Sequence, residues 1–513
     1  MTSPLLGVVT VEALLAAGVE HVLLAPGSRN APLSLALHAA DAAGLLRLHV
    51  RIDERVAAFT ALGIAKASRA PAAVVTTSGT AAGNLLPAAM EARASGIPLL
   101  LVTADRPAQA VWTGANQTFD QVGLFGPAVL RTVRVSSTSG DERAWRHQIT
   151  RAAVIAAGTR SRQPGPVHVN IEFDLPLVDA TVRAPVAQPR IPVVAPSDGV
   201  VVHEVTTPAR TVVLAGDAPP EVGAEARALA ELAGVPLLAE PSSNARTGSA
   251  IPRYREQLAR LAPEIERVVV FGHPTLSRPV SALLARDDVE IIVVAQHAEW
   301  VDPGHAARHV VDRVVLPPGD PHWLARWDHS APAPDALTPE GIAAAVVRSA
   351  RPGENLVFGA SSSIRHADLA PVSQHPATCY ANRGLAGIDG TLATATGIAL
   401  ATGAPTTVLL GDLTLQHDLG SLVAPPTEPS VQMRVVLVDD NGGSIFEGLE
   451  QGACEFRHAF DRVFRTPQCI NSAHVAAAFG WKVDEVRSLA ALLGLLDDTI
   501  SGRELLRLLP VSD

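Results

Sequence analysis

Two short polar clusters stand out for the chemistry their residue types allow: Gly411-Asp412, and Asp440-Asn441-Gly442-Gly443. Each closes a Val/Leu-rich run, at 406–410 and 435–438, that reads as a buried strand. Two neighbouring strand ends would then offer two carboxylates and open glycine backbone. Hard oxygen ligands of this kind suit Mg2+, which takes one or two carboxylates and completes its shell with phosphate and water. Ligand crevices in open α/β sheets lie at the carboxyl ends of strands. The pair therefore reads as a place to hold a metal and a diphosphate. The alternative for the same residues is two polar turns closing two ordinary strands.

A second cluster lies in the first third. Glu54 follows the strand-like run 46–50 and opens a helix over 56–68, where a negative charge suits the helix dipole. Thr77-Ser78-Gly79-Thr80 follows the run 72–76, and Asn84 sits on the next helix. A lone Glu at a helix start is ordinarily structural; this company favours a chemical role. Arg29, Arg106, Arg365 and Arg383 fall on the loops that follow strands. Each carries a planar fork able to clasp a carboxylate through two parallel hydrogen bonds.

The elements that must position these residues are legible from hydrophobic patterning. Strands are expected at 21–25, 46–50, 72–76 and 98–102, separated by helical patterns. A second set is expected at 211–215, 235–239, 267–271 and 290–294, and a third at 356–358, 406–410 and 435–438. Short apolar runs alternating with helices indicate parallel sheets covered on both faces. Pro/Val/Ala-rich stretches at 185–197 and 330–339 read as linkers. The expected organisation is α/β, with three doubly wound parallel-sheet domains at 1–184, 198–330 and 340–513. The outer two are equipped for chemistry.

Composition narrows the function. With 47% hydrophobic and 18% charged residues in 513, there is ample material for large cores. A net charge of −10 and the lack of a basic run argue against a nucleic-acid partner. Lys occurs only at positions 66 and 482, neither after a plausible catalytic strand, so Schiff-base chemistry is disfavoured. Cys379, Cys454 and Cys469 show no metal-like spacing and cannot all pair, which fits a reducing cytoplasm. No signal-peptide pattern and no apolar run of membrane-spanning length is apparent. The Gly-x-Gly-x-x-Gly fingerprint and the Walker lysine motif are both missing, which removes the usual NAD and nucleotide-hydrolase readings.

The Gly411-Asp412 and Asp440-Asn441 pattern resembles the diphosphate-binding motif of thiamine-diphosphate enzymes. Leu413 stands where that motif has a second Gly, and Asp440 where it has Asn. The resemblance narrows with Pro26-Gly27-Ser28-Arg29-Asn30, Thr77-Ser78-Gly79-Thr80-Ala81, Asp105-Arg106-Pro107 and Gly114-Ala115-Asn116-Gln117-Thr118. Asn382-Arg383-Gly384-Leu385-Ala386-Gly387-Ile388-Asp389-Gly390 and Asn441-Gly442-Gly443-Ser444-Ile445-Phe446 add to it. Together these segments are similar to the MenD family, a menaquinone-pathway branch of the thiamine-diphosphate enzymes.

That resemblance implies a carboligase that decarboxylates 2-oxoglutarate and adds the succinyl semialdehyde carbanion to isochorismate in a 1,4 fashion. The product would be 2-succinyl-5-enolpyruvyl-6-hydroxy-3-cyclohexene-1-carboxylate. It implies thiamine diphosphate with Mg2+ (Mn2+ as an alternative), and a homodimer or homotetramer with active sites at the dimer interface. By motif position, Ser28, Arg29, Asn116 and Gln117 would grip isochorismate; Ser361, Arg365 and Arg383 would surround substrate carboxylates. Glu54 would face the pyrimidine of the cofactor and Ile388 would be the apolar wedge that bends it; Thr77, Gly79, Asn84, Ser361, Gly387 and Asp389 would also bind the cofactor. Gly411, Asp412, Leu413, Thr414, Asp440, Gly442, Gly443 and Ile445 would hold the diphosphate, with Asp412, Asp440 and Gly442 on the metal. His366, Gly420 and Ala386 depart from the family pattern, where Asp, Asn and Ser are frequent. Two other readings compete with this one. An acetolactate-synthase-like enzyme for monocarboxylic 2-oxo acids would not need the Arg set. A catalytically silent scaffold would not need Glu54, Asp412 and Asp440.

Overall fold

The computed structural model describes residues 2–195, 199–327, 334–374 and 376–510. The end of the first expected linker and the beginning of the second lie outside these residues. Among the described residues, three parallel sheets of five or six strands follow one another along the chain, with one further two-stranded parallel pair from the middle third. The first comprises β1 His21–Leu24, β2 Arg47–Val50, β3 Ala72–Thr76, β4 Leu99–Asp105, β5 Arg131–Ser136 and β6 Val167–Glu172, in the order β2-β1-β3-β4-β6-β5. In the middle third lie β7 Val202–Glu204, β8 Thr211–Ala215, β9 Leu237–Ala239, β10 Arg267–Phe271, β11 Glu290–Val294, β12 Ala307–Val311 and β13 Arg313–Val315. Five of these form the sheet β12-β11-β10-β8-β9, and β13 pairs with β7 alone. The last third holds β14 Asn355–Phe358, β15 Thr378–Ala381, β16 Thr406–Gly411, β17 Met433–Val438, β18 Lys482–Val486 and β19 Arg503–Leu508, in the order β15-β14-β16-β17-β19-β18.

Each sheet is built from runs such as Ala-Ala-Val-Val-Thr in β3 and Arg-Val-Val-Val-Phe in β10, whose residues are buried throughout. Parallel sheets need cover on both faces, and separate apolar cores lie on the two sides of the first sheet and of the central one. This is the α/β, doubly wound architecture expected. Such sheets open a crevice where strand order reverses. The reversal falls between β1 and β3 in the first sheet, and between β14 and β16 in the last. It places the 26–30 loop beside Thr77, and the 361–365 loop beside Asp412. In the central sheet the reversal lies between β8 and β10, and there Asp217 and His273 exchange backbone hydrogen bonds of 3.1 and 2.9 Å across it. That crevice is laced shut.

The first sheet has six strands rather than the four expected. β5 and β6 escape pattern reading because β5 is a largely exposed edge and β6 interleaves His168, Asn170 and Glu172 with its apolar residues.

The chain forms two compact units. One comprises Met1–Ser197 with Asp389–Gly403 and Asp418–Val431; the other comprises Asp198–Ile388, Ala404–His417 and Gln432–Asp513. In the first unit, helix Thr391–Thr402 lies along helix Glu54–Ser68, and glycines make the approach possible. A Cβ on Gly63 would stand 2.0 Å from the Thr394 carbonyl oxygen, and one on Gly397 would stand 2.0 Å from that of Thr60. No helix among the described residues is long and apolar enough to cross a membrane.

Candidate active site

In the first unit, Glu54 opens its helix because Asp53 caps it, its carboxylate accepting from the backbone N–H groups of Arg55 and Val56. Asn84 Nδ2 donates to Glu54 Oε2 at 3.0 Å. The fold thus brings these two residues into direct contact, which the sequence had placed only on successive elements. Beside them, Gly27 must be glycine: a Cβ there would fall 2.4 Å from the Thr77 side chain. The contact seats the 26–30 loop directly on the end of β3, where the Thr77 hydroxyl oxygen is buried without a hydrogen-bond partner.

The exposed loop bearing Asn116 and Gln117 is tied to the same strand end. Ser78 Oγ donates to the Gln117 carbonyl at 2.9 Å, and Gln117 Nε2 returns a bond to the Ser78 carbonyl at 3.0 Å. Arg106 Nε donates to the Asn116 carbonyl at 2.6 Å, and Arg29 Nη1 to the Phe173 carbonyl at 2.9 Å. Burial, and then the neighbouring positive charge of Arg106, lower the pKa of Arg29. Two guanidinium groups therefore face each other's field above this sheet, while Ser28 is exposed at their side.

A buried network not expected from the sequence lies under that loop. Gln121, fully buried, accepts from the Gly79 N–H at 2.7 Å and donates to Asn170 Oδ1 at 2.9 Å. Asn170 Nδ2 in turn donates to Asp105 Oδ2 at 2.8 Å. This chain of amides fixes Gly79, whose φ of 78° favours glycine. The signal that could have found it is a polar residue at every second position of an otherwise apolar strand.

In the second unit, Asp412 is 3% exposed at the end of β16. Its carboxylate accepts from the N–H of Leu413 at 2.8 Å and from that of Gly442 at 2.8 Å. Burial, and then the negative charge of Asp440, push the Asp412 carboxyl up to about 6. Asp440 is raised as well, chiefly by burial, against the opposing hydrogen bond from Ser444 Oγ. Gly442 has φ 121°, and a Cβ there would strike the Arg465 carbonyl at 2.2 Å. A narrow crevice is lined by Gly411 and Asp440 with Ser362, Ser363 and His366. Leu413 and Ile445 are half-buried and Thr414 is buried in the same region. Two facing, partly desolvated carboxylates at a strand-end crevice fit a divalent cation, which would relieve the charge that now raises both.

Ser361 precedes the short helix Ser362–Ala367 with φ 69°, an unusual value for a residue with a side chain. Arg365 Nη1 donates to its carbonyl at 2.7 Å. Burial, and then Arg383, lower the pKa of Arg365. Arg383 itself is 2% exposed and is held from the central sheet, through Nε and Nη2 bonds of 3.0 and 2.8 Å to Thr275 Oγ1. Gly387 and Ile388 follow on the same half-buried loop, while Asp389 begins the segment that folds with the first unit.

Residues 6–124 match the thiamine pyrophosphate enzyme, N-terminal TPP binding domain. The chain is 44% identical to the 2-succinyl-5-enolpyruvyl-6-hydroxy-3-cyclohexene-1-carboxylate synthase of Kineococcus radiotolerans, over 100% of this chain and 96% of that protein. It is 43% identical to the synthase of the same name from Paenarthrobacter aurescens, over 96% and 92%, and 44% identical to that of a Nocardioides species, over 93% and 90%. The chain belongs to the 2-succinyl-5-enolpyruvyl-6-hydroxy-3-cyclohexene-1-carboxylate synthase family. It is accordingly a thiamine-diphosphate-dependent enzyme, and the family assigns it to menaquinone biosynthesis. The residues present fit that cofactor, with a carboxyl and an unsatisfied hydroxyl in one unit and a carboxylate pair in the other.

Proposed function

We propose that the chain decarboxylates 2-oxoglutarate and joins the resulting succinyl semialdehyde carbanion to isochorismate by 1,4-addition. The observation that carries this reading is the crowding of guanidinium groups in both units. Arg29 stands in the field of Arg106, and Arg365 in that of Arg383. Like charges held together at a desolvated site are stabilised by an anion placed between them, and both substrates are dianions. A monocarboxylic 2-oxo acid would leave part of this charge uncompensated.

When bound, thiamine diphosphate supplies a thiazolium carbon that accepts the electron pair released on loss of CO2. The remaining work belongs to the chain. The Glu54 carboxyl, oriented by Asn84, holds and releases a proton on the pyrimidine side, where Thr77 and Gly79 also lie. Ile388 is the apolar wedge, with Gly387 and Asp389 beside it. Asp412, Asp440 and the Gly442 backbone hold Mg2+, or Mn2+ in its place, and Gly411, Leu413, Thr414, Gly443 and Ile445 surround the diphosphate. Ser28, Arg29, Asn116 and Gln117 take isochorismate; Ser361, Arg365 and Arg383 take substrate carboxylates. In domain terms, 1–184 binds the pyrimidine and 340–513 the diphosphate, with 198–330 between them. The enzyme works in the cytoplasm as a homodimer or homotetramer whose sites lie between subunits.

The test is CO2 release from 2-oxoglutarate by purified protein with thiamine diphosphate and Mg2+, with isochorismate absorbance followed in parallel. Coupled consumption of both substrates is expected. Turnover of pyruvate with isochorismate untouched would replace this reading with a general carboligase.

A further inference from the structure

We propose that His203, His309 and Glu290 form a Zn2+ site at the edge of the central sheet, sharing no residue with the carboxylate pair at Asp412 and Asp440. One ligand atom from each lies within 4.8 Å of the others, and all three residues are half-buried. They come from three strands of two sheets: β7, β12 and β11.

Register explains how they meet. Ile291 pairs with Ala307, but Ile292 pairs with His309, so Arg308 is an extra residue in β12. A one-residue slip of this kind moves every following side chain to the opposite face. The bulge thereby turns His309 to the face of Ile292, which is also the face of Glu290, two residues earlier in β11. Ile292 packs there with Val205 and Val314, so the β7–β13 pair covers the same face. His203 reaches its rim from β7. The His203 and His309 rings stack with centroids 4.2 Å apart and planes 26° from parallel.

The His309–Glu290 spacing is that of a direct His–Glu ion pair, and it equally suits two ligands sharing an ion. His309 Nε2 lies 3.6 Å from Glu290 Oε1, too long for a hydrogen bond. Two ligands bound at about 2.0–2.1 Å on one tetrahedral zinc stand roughly 3.4 Å apart, so this pair already has the required spacing. The other oxygen of Glu290 is committed: Arg267 Nε donates to Oε2 at 2.7 Å, and Arg267 is held by bonds of 3.1 and 3.0 Å to the Thr207 carbonyl and hydroxyl. Such outer partners orient a ligating carboxylate. Two imidazoles and one carboxylate suit Zn2+ or Co2+ and not Mg2+, and three protein ligands leave a fourth position for water. The ion would pin the β7–β13 pair to the central sheet.

The test is equilibrium dialysis of the full-length protein against micromolar Co2+ and Zn2+ in millimolar Mg2+, with the visible Co2+ spectrum recorded. About one Co2+ per chain is expected, with the intense visible bands of a four-coordinate N/O site, displaced by Zn2+ and unaffected by Mg2+. His309→Ala and Glu290→Gln should each weaken uptake at least tenfold and abolish the bands while circular dichroism is unchanged. His203→Ala gives a second imidazole variant should either fail to fold. No stoichiometric uptake would overturn the proposal. So would uptake that these variants leave intact, which would place the ion elsewhere, as on the exposed Cys454 and Cys469.

Discussion

A carboxyl that passes a proton needs its geometry held without losing its charge, and Asn84 does that for Glu54 with a single neutral bond. Glu54→Gln keeps that shape and removes the proton. Carboligation should fall by about 10²-fold or more, the usual worth of a placed acid or base, while thiamine diphosphate still binds; activity assays with cofactor titration by fluorescence check both. Glu240 shows the opposite use of a carboxyl. Wholly buried, it accepts from the N–H groups of Thr275 at 3.1 Å and Leu276 at 2.9 Å, and so fixes the residue that holds Arg383. Burial, the dominant cause, pushes it up to about 8. Its folded pKa thus exceeds the unfolded value near 4.5, so the fold takes up a proton between those limits. The group's contribution to stability is greatest below about pH 4.5 and declines until about pH 8. Glu240→Gln should match wild type near pH 5 and exceed it at pH 8. Urea unfolding at several pH values reads the difference directly, and parallel profiles would show that Glu240 is ionised in the fold.

At the scale of elements, the tightest packing in the first unit is that of helices Glu54–Ser68 and Thr391–Thr402, where backbone meets backbone at Gly63 and Gly397. A methyl group at Gly397 would be 2.0 Å from the Thr60 carbonyl, and neither partner is a flexible side chain. Gly397→Ala should therefore lower stability by about 1–3 kcal/mol, the range for overpacking, and loosen the helix that starts at Glu54. Gly494→Ala, inside helix Leu489–Asp497 with open space around it, should be neutral or up to about 1 kcal/mol stabilising. Thermal melts of the two variants make the comparison. Strands β3, β8, β10 and β11 were legible at their observed limits because both faces are buried and their residues are mostly apolar and β-branched. Strands β5, β12 and β18 were not, because they are sheet edges with part of their length exposed, and β15 was not because it is a short edge whose first half is only half-buried. β19 was hidden for another reason: Glu504, buried inside it, is paired with Arg434 of β17, so a central strand begins with charge. The same division holds at the candidate site. Residues at strand ends, such as Asp412 and Glu54, announce themselves by position. Thr275 and Gln121 act on Arg383 and Gly79 from distant segments, and only the fold brings them there.

For the whole molecule, the question is how a carboxyl in one compact unit and a carboxylate pair in the other serve one cofactor. The function proposed above puts them on different subunits, so that a two-fold dimer would hold two equivalent sites, each built from both chains. That arrangement has a consequence a self-contained chain would not share. Glu54→Gln disables the pyrimidine half of a site, and Asp412→Asn the metal half, removing one of two carboxylates that a divalent ion would bridge. Each variant alone should be close to inactive. In a mixed dimer the two lesions fall together in one site and leave the other intact. Co-expression at equal levels gives mixed dimers for about half the population, and these carry one working site of two, so about a quarter of wild-type activity should return. Sites completed within one chain would return none, since every chain in the mixture is defective. Activity of the purified mixture, set against each variant alone and against mass by light scattering, therefore decides where the two halves meet.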